Sequence, residues 1–303
     1  MTTAKNYLSL VKFSHTIFAM PFAFIGFFLG LFSFRFHEAG ASADVLFSSR
    51  VLLTKFMLVV LCMVFARSAA MAFNRYLDRD IDALNPRTAS RELPQGIITP
   101  ANALTFTAAN CVLFFVSSFF INSICFLLSP VALLVVLGYS YSKRFTSLCH
   151  LILGLGLALA PIGAYLAVVG SFHLLPLLFS FAVIFWVSGF DIIYSLQDED
   201  FDRLQQLYSI PAAVGKEKAL RISELLHSLS AGCIIAAGKV GEFGWLYWVG
   251  VLVFGGMLIY QHALVKPNDL RRVNIAFMTA NGIASVVFAA LVIADLFMSE
   301  IDF

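Results

Sequence analysis

Charge is scarce in this sequence. Only 13% of the 303 residues are Asp, Glu, Lys or Arg, while 60% are hydrophobic. Soluble domains are usually about a quarter charged, so an ordinary water-soluble domain is excluded. The mean hydropathy of +0.88 points to a polytopic membrane protein. A net charge of +2 carries no basic excess that would mark a nucleic-acid partner. Cysteine patterning is also missing. Cys62, Cys111, Cys125, Cys149 and Cys233 show no C-x-x-C spacing, and the six histidines show no paired metal spacing. The thiols read as buried and reduced. A cleavable signal is not expected, because the first apolar run is long and no A-x-A site follows a short core. Long polar linkers are lacking too, so residues 1–303 read as a single transmembrane domain.

What is present is a series of apolar runs. A bilayer crossing takes about 20 apolar residues. Nine runs qualify, near 12–34, 51–74, 101–121, 123–142, 147–169, 174–195, 219–239, 243–262 and 273–297. The expected fold is all-α, a membrane bundle of nine transmembrane helices. With nine spans, fifteen Lys and Arg fall on the side of the N-terminus and four on the other, with Arg67 inside the second run. The positive-inside rule then places the N-terminus in the cytoplasm and the C-terminus across the membrane. The bilayer concerned is expected to be the inner (plasma) membrane.

One stretch organises the rest: Arg67-Ser-Ala-Ala-Met-Ala-Phe-Asn74-Arg-Tyr-Leu-Asp78-Arg-Asp-Ile-Asp82. On a helix, positions i, i+4 and i+8 share a face. Asn74, Asp78 and Asp82 therefore form an oxygen-lined stripe with Arg67 two turns before it, whereas Asp80 points elsewhere. A second stripe closes a later run, with Asp191 and Tyr194 followed by Asp198 and Asp202. Facing carboxylates repel without a cation between them, and Mg²⁺ shares a few carboxylates with phosphates and water. Basic groups suited to phosphate oxygens lie close by. Arg87 and Arg91 sit in a Pro- and Gly-containing loop that reads as an ordered turn or a mobile lid. Tyr139 and Lys143 are i, i+4 at the end of the fourth run. Interfacial anchoring explains the latter pair equally well. His15 reads as a packing or pocket group. The last three runs look plain, and Glu242, Asp295, Glu300 and Asp302 look interfacial or terminal.

These components suit a substrate with a diphosphate head and a long hydrocarbon tail. The leaving diphosphate would be neutralised by Mg²⁺. The aromatic face of Tyr194 could stabilise an allylic cation. Asp191 could orient an electron-rich acceptor or take its proton. Arg67 could pair with an acidic acceptor, with phosphate, or with an aspartate of its own stripe. A transporter is the main competing class, but transporters usually place ionisable groups near the bilayer midplane, and these cluster at one interface. A CDP-alcohol phosphotransferase would begin its signature Asp-Gly, and no such run occurs.

At these residues the sequence resembles the UbiA superfamily of intramembrane aromatic prenyltransferases. Asn74, Asp78 and Asp82 match its N-x-x-x-D-x-x-x-D motif, and Asp198 and Asp202 its D-x-x-x-D motif. Tyr139 and Lys143 resemble its diphosphate-contacting Y-x-x-x-K, and Asn85 to Gly96 its loop after the second span. The resemblance reaches residue 218; beyond it only hydropathy agrees. It implies Mg²⁺-dependent transfer of a polyprenyl group from polyprenyl diphosphate to a small aromatic acid, at a site facing the cytoplasm. Lys12 to Pro21 looks like the 4-hydroxybenzoate polyprenyltransferase-like branch. Ubiquinone-pathway members often read Asn-Asp where this chain reads Asn74-Arg75, so 4-hydroxybenzoate and a dihydroxynaphthoate of menaquinone synthesis both stand as acceptors.

Overall fold

The computed structural model describes residues 3–12, 20–37 and 49–299; His15, Glu300 and Asp302 lie outside them. Among the described residues the regular structure is helical, with turns and loops between the helices and an isolated bridge between Lys266 and Asp269. Eight helices are long and apolar enough to cross a membrane, and a shorter apolar stretch, Met20–Ser33, falls in the first run. The nine-helix expectation therefore holds.

A short helix α1 (Thr3–Leu10) precedes α2 (Met20–His37), α3 (Ser49–Leu84), α4 (Pro100–Ile121), α5 (Ser123–Ser142) and α6 (Cys149–Val169). Then come α7 (Leu174–Ser195), α8 (Glu199–Leu204), α9 (Ile210–Val214), α10 (Lys216–Val240), α11 (Trp245–Leu264) and α12 (Asn281–Ser299). Neighbours pack as α3–α4, α5–α6, α6–α7, α7–α10, α10–α11 and α11–α12, and α2 packs against α6 and α12. Small residues allow the closest approaches, as is common between membrane helices. A Cβ on Gly26 would lie 2.0 Å from the Pro161 carbonyl oxygen, and one on Gly154 would lie 2.6 Å from that of Ile184. The central core is aromatic, with Phe22, Phe179, Trp186, Tyr247, Phe254 and Phe288 fully or almost fully buried.

Two spans are prolonged beyond their apolar segments, and each prolongation carries a pair of stripe aspartates. The 36 residues of α3 make a rod about 54 Å long at 1.5 Å per residue, against about 30 Å of hydrocarbon core. Its last turns, with Asp78 and Asp82, continue past the expected end at residue 74. The helix stops where Asn85 precedes Pro86, since a residue before proline is disfavoured in the α conformation. The Thr88 hydroxyl donates to the Asp82 carbonyl at 3.0 Å and caps the exposed end. In α7 the extension is broken. A 3₁₀ turn, Leu196–Asp198, intervenes before α8, so Asp198 and Asp202 do not lie on one continuous α-helix as their spacing suggested.

Candidate active site

The first stripe forms as its spacing requires. The Asn74 side-chain amide donates to Asp78 Oδ2 at 3.1 Å. Asp78 and Asp82 are buried, at 2% and 5% exposure, and carboxylates so enclosed need cationic partners. Lys143 Nζ lies 2.6 Å from Asp78 Oδ2 and Arg144 Nη2 lies 2.9 Å from Asp78 Oδ1. Arg91 Nη1 lies 2.7 Å from Asp82 Oδ1, with Arg75 Nη1 at 3.9 Å from Asp82 Oδ2. That second oxygen is buried and accepts no hydrogen bond. Asp80 faces out, with 83% of its side chain exposed.

The loop after α3 is an ordered turn. Backbone bonds run from Ala89 N to Asn85 O (2.8 Å), Arg91 N to Thr88 O (3.0 Å) and Gln95 N to Arg91 O (3.1 Å). Gly96 closes it at φ +69°, a conformation glycine adopts freely. Asn85 has two tasks. Its Oδ1 accepts from the Arg87 N–H at 2.9 Å, and its Nδ2 donates to Asp198 Oδ1 at 3.2 Å. Arg87 then forks onto Asp198, Nε to Oδ1 at 2.9 Å and Nη2 to Oδ2 at 2.5 Å. It also donates to the Tyr194 hydroxyl at 3.1 Å and stands 5.3 Å above that ring. Burial lowers the pKa of this guanidinium, but the hydrogen bond and charge of Asp198 outweigh it and raise the pKa above its usual value. The loop thus ties the first stripe's helix to the second stripe. Asp202 stands apart from Arg87 and accepts from the Ser209 hydroxyl at 2.8 Å.

Beside this charged rim lies an apolar cavity of about 360 Å³ among α3, α4, α5 and α6. It is lined by Met71, Arg67 and Tyr139 toward the stripe-bearing ends of the helices, and by Val59, Cys125 and Phe172 toward the other. Arg67 faces this cavity, and its Nε is buried without a hydrogen-bond partner. Among the described residues it makes no ion pair with an aspartate of its own stripe. Asp191 does not line the cavity; its Oδ2 lies 2.7 Å from His150 Nδ1. Tyr194 packs against Phe277 at a 33° tilt, with ring centres 4.3 Å apart.

Four polar residues of the site escaped the sequence reading. Arg144 and Arg75 each pair with a stripe aspartate and sit beside residues already singled out. Asn85 lies in the recognised loop, but only the fold shows that it reaches Asp198. His150 is 41 positions from Asp191 and carries no local signal. Among the described residues no three His, Cys, Asp or Glu side chains converge as metal ligands. Instead Asp78, Asp82 and Asp198 are each paired with arginine or lysine, Asp191 with His150 and Asp202 with the Ser209 hydroxyl. The donor set still suits a hard divalent cation, being all oxygen and partly hydrogen-bond-starved at Asp82.

The UbiA prenyltransferase family model matches residues 39–283. A curated protein of Aliivibrio fischeri (strain MJ11), named 4-hydroxybenzoate octaprenyltransferase, is 30% identical over 240 residues, 79% of this chain and 83% of the relative. Its namesake in Tolumonas auensis is 32% identical over 229 residues, 75% of this chain and 79% of the relative. The apo structure of a UbiA homologue from Aeropyrum pernix K1 superposes with a TM-score of 0.75 at 30% identity, covering 94% of this chain and 98% of the other. A homologue from Archaeoglobus fulgidus bound to GPP and Mg²⁺ shares the fold with a TM-score of 0.69 at 22% identity, covering 96% and 99%. The match runs through both aspartate stripes and the loop between them, and this multi-pass membrane protein belongs to the UbiA prenyltransferase family.

Proposed function

We propose that this protein transfers a polyprenyl group from polyprenyl diphosphate to a hydroxylated aromatic acid of the 4-hydroxybenzoate type, for synthesis of a respiratory quinone. The observation that carries the reading is the rim: two aspartate stripes joined through Arg87 and ringed by cations, beside an apolar cavity. The curated relatives' name supplies the acceptor class and a long polyprenyl donor. Asn74, Asp78, Asp82, Asp198 and Asp202 would hold Mg²⁺, which when bound neutralises the departing diphosphate. Lys143, Arg87 and Arg91 bind diphosphate oxygens, with Tyr139 beside them, once released from the aspartates they now pair with. The hydrocarbon tail lies in the cavity. The donor C–O bond breaks and its electron pair leaves on the diphosphate. A π pair of the acceptor ring forms the new C–C bond, and the ring proton passes to the Asp191 carboxylate. Tyr194 presents its face to the allylic cation. Arg67, a guanidinium that lines the apolar cavity and has no hydrogen-bond partner at its buried Nε, orients the acceptor's carboxylate.

The test is a prenylation assay in membranes with one labelled polyprenyl diphosphate, 4-hydroxybenzoate and a dihydroxynaphthoate, with and without Mg²⁺. The dihydroxynaphthoate arm answers to Arg75, which departs from the Asn-Asp of ubiquinone-pathway members. Mg²⁺-dependent label on 4-hydroxybenzoate is expected; uptake of an aromatic acid into sealed vesicles with no prenylated product would sink the reading. We further propose that the site faces the cytoplasm from the plasma membrane, following the basic asymmetry. Thiol-reagent labelling of single cysteines placed at each terminus should find them on opposite sides.

A further inference from the structure

One buried titratable group that this reaction leaves unused is His150. It is 3% exposed, whereas Asp191 keeps 24% of its side chain open. The histidine is therefore sealed behind the carboxylate and reaches the site only through it. Both ring nitrogens are engaged. The backbone N–H of Ile210 donates to Nε2 at 3.3 Å. That fixes the ring proton on Nδ1, which donates to Asp191 Oδ2 at 2.7 Å. Asp191 Oδ1 makes no hydrogen bond among the described residues, so one carboxylate oxygen is clamped and the other is open.

The fold builds this arrangement from three sides. Gly154, one turn after His150, lets α6 approach the α7 backbone, where a Cβ would meet Ile184 O at 2.6 Å. The Ser188 hydroxyl, which donates to the Ile184 carbonyl of its own helix at 2.6 Å, also lies 3.1 Å from the His150 carbonyl, so the first turn of α6 sits against α7. The turn before α9 then makes successive contacts with residues assigned above. The Tyr208 N–H donates to the Lys143 carbonyl (2.7 Å), the Ser209 hydroxyl to Asp202 (2.8 Å) and the Ile210 N–H to His150.

We propose that His150 is the positioning residue of the acceptor step, its Nδ1–H holding Asp191 with one oxygen open to receive the ring proton. The proposal rests on the prenyl-transfer reading above. It also gives the proton an end point. The ring C–H bond breaks, its electron pair restores aromaticity, and the proton stays on Asp191, because the Ile210 N–H blocks His150 Nε2 from accepting it. Through the 208–210 turn, His150 connects the acceptor side to the residues assigned to diphosphate and metal.

The experiment compares wild type, His150→Ala, His150→Gln, Asp191→Asn and the His150→Ala/Asp191→Asn double variant in purified full-length protein. Each is assayed with a polyprenyl diphosphate, 4-hydroxybenzoate and Mg²⁺, with thermal stability recorded. His150→Ala should lower kcat on the order of 10²-fold, the lower range for general acid–base catalysis, with the donor KM held within about twofold. His150→Gln retains an N–H donor and should recover about tenfold of that loss, half of the effect on a logarithmic scale. In the Asp191→Asn background His150→Ala should cost no more than about twofold further, since residues acting as a unit are non-additive. A glutamine variant no better than alanine, a donor KM that rises with the fall in kcat, or losses that multiply in the double variant would overturn the role of His150 alone. A wild type that prenylates no aromatic acid would overturn this role together with the proposed function.

Discussion

Two polar regions interrupt the apolar bundle, and they solve the burial of polar atoms differently. The rim on α3, the 85–98 loop and α7–α8 is charged and paired by ion pairs that a ligand can replace. The second region, between α7, α10, α11 and α12, is neutral and locked. His227 Nδ1 lies 2.9 Å from His262 Nε2, and His227 Nε2 lies 3.3 Å from the Trp186 carbonyl oxygen. Trp186 Nε1 and Gln261 Nε2 both donate to Asn281 Oδ1, at 2.9 and 2.8 Å. Asn281 in turn donates to the Phe277 carbonyl at 2.9 Å, closing a π-helical turn over Ile275–Ala280. Two buried acceptors, His262 Nδ1 and Gln261 Oε1, complete the network without partners. Neutral groups at this depth cost less than charges and need no exchangeable partner. On the proposed function the rim changes partners, whereas the network keeps one geometry. The two meet at Tyr194, which Arg87 touches from the rim and Phe277 supports from the π turn.

The comparison breaks if charge removal at the rim harms folding more than chemistry. Asp78→Ala and Asp198→Ala should each lower prenyl transfer on the order of 10³-fold, the scale of losing one electrostatic element of an active site. The double variant should be little worse than either single, because the proposed reaction uses the two stripes as one site. Asp80→Ala, off the stripe and exposed, should retain most activity. Turnover per folded protein across a Mg²⁺ titration decides; single losses that multiply would separate the stripes.

Arg67 sharpens the contrast within one side chain, because it is charged like the rim yet faces the apolar cavity. Arg67→Leu removes a buried guanidinium without opening a void, so stability should hold or rise. The KM for the aromatic acid should rise about 30-fold, some 2 kcal/mol, with the donor KM little changed. Equal rises for both substrates would move Arg67 from the acceptor to the diphosphate.

In the second region the expected loss is of stability. Asn281→Leu strands the Trp186 N–H and the Gln261 amide, and should destabilise the protein by about 2 kcal/mol, within the range for unsatisfied buried donors. Thermal unfolding in detergent measures it. Activity normalised to folded protein should fall only as far as Tyr194 loses its support from Phe277.

Much of the rim was legible in the sequence because its spacing is local. Asn74, Asp78 and Asp82 follow the helical repeat, and the apolar runs give the spans. The second stripe was legible as a motif but not as a shape, since the 3₁₀ turn before α8 is set by how α7 leaves its apolar run. The neutral network was invisible: His227 and His262 are 35 positions apart on different helices, and no periodicity joins them. Asp295, which reads as interfacial, is 3% exposed, and its carboxylate caps the start of α11 at Gly244 N (2.7 Å) and Tyr247 N (3.2 Å). Pairings between helices depend on the packed bundle and leave no trace in local spacing.

The smallest effect separates two neighbours that share Asp78. Arg144 Nη1 donates to the Ser140 carbonyl at 3.0 Å, and Nη2 to the Leu77 carbonyl at 3.1 Å as well as to Asp78. It therefore pins α5 to α3 and is not free to leave. The Lys143 ammonium has a single ion-pair partner among the described residues, Asp78. In the proposed reaction it exchanges that partner for a diphosphate oxygen while Arg144 keeps Asp78 compensated. Lys143→Ala should raise the donor KM roughly tenfold, about 1.4 kcal/mol, and leave the acceptor KM and the melting temperature nearly unchanged. Arg144→Ala should do the reverse, lowering the melting temperature and moving both KM values together. Kinetics varying each substrate in turn, beside a melting curve for each variant, distinguish the two. Matching profiles would mean that Lys143 belongs to the fixed framework and that the rim has a different exchangeable cation.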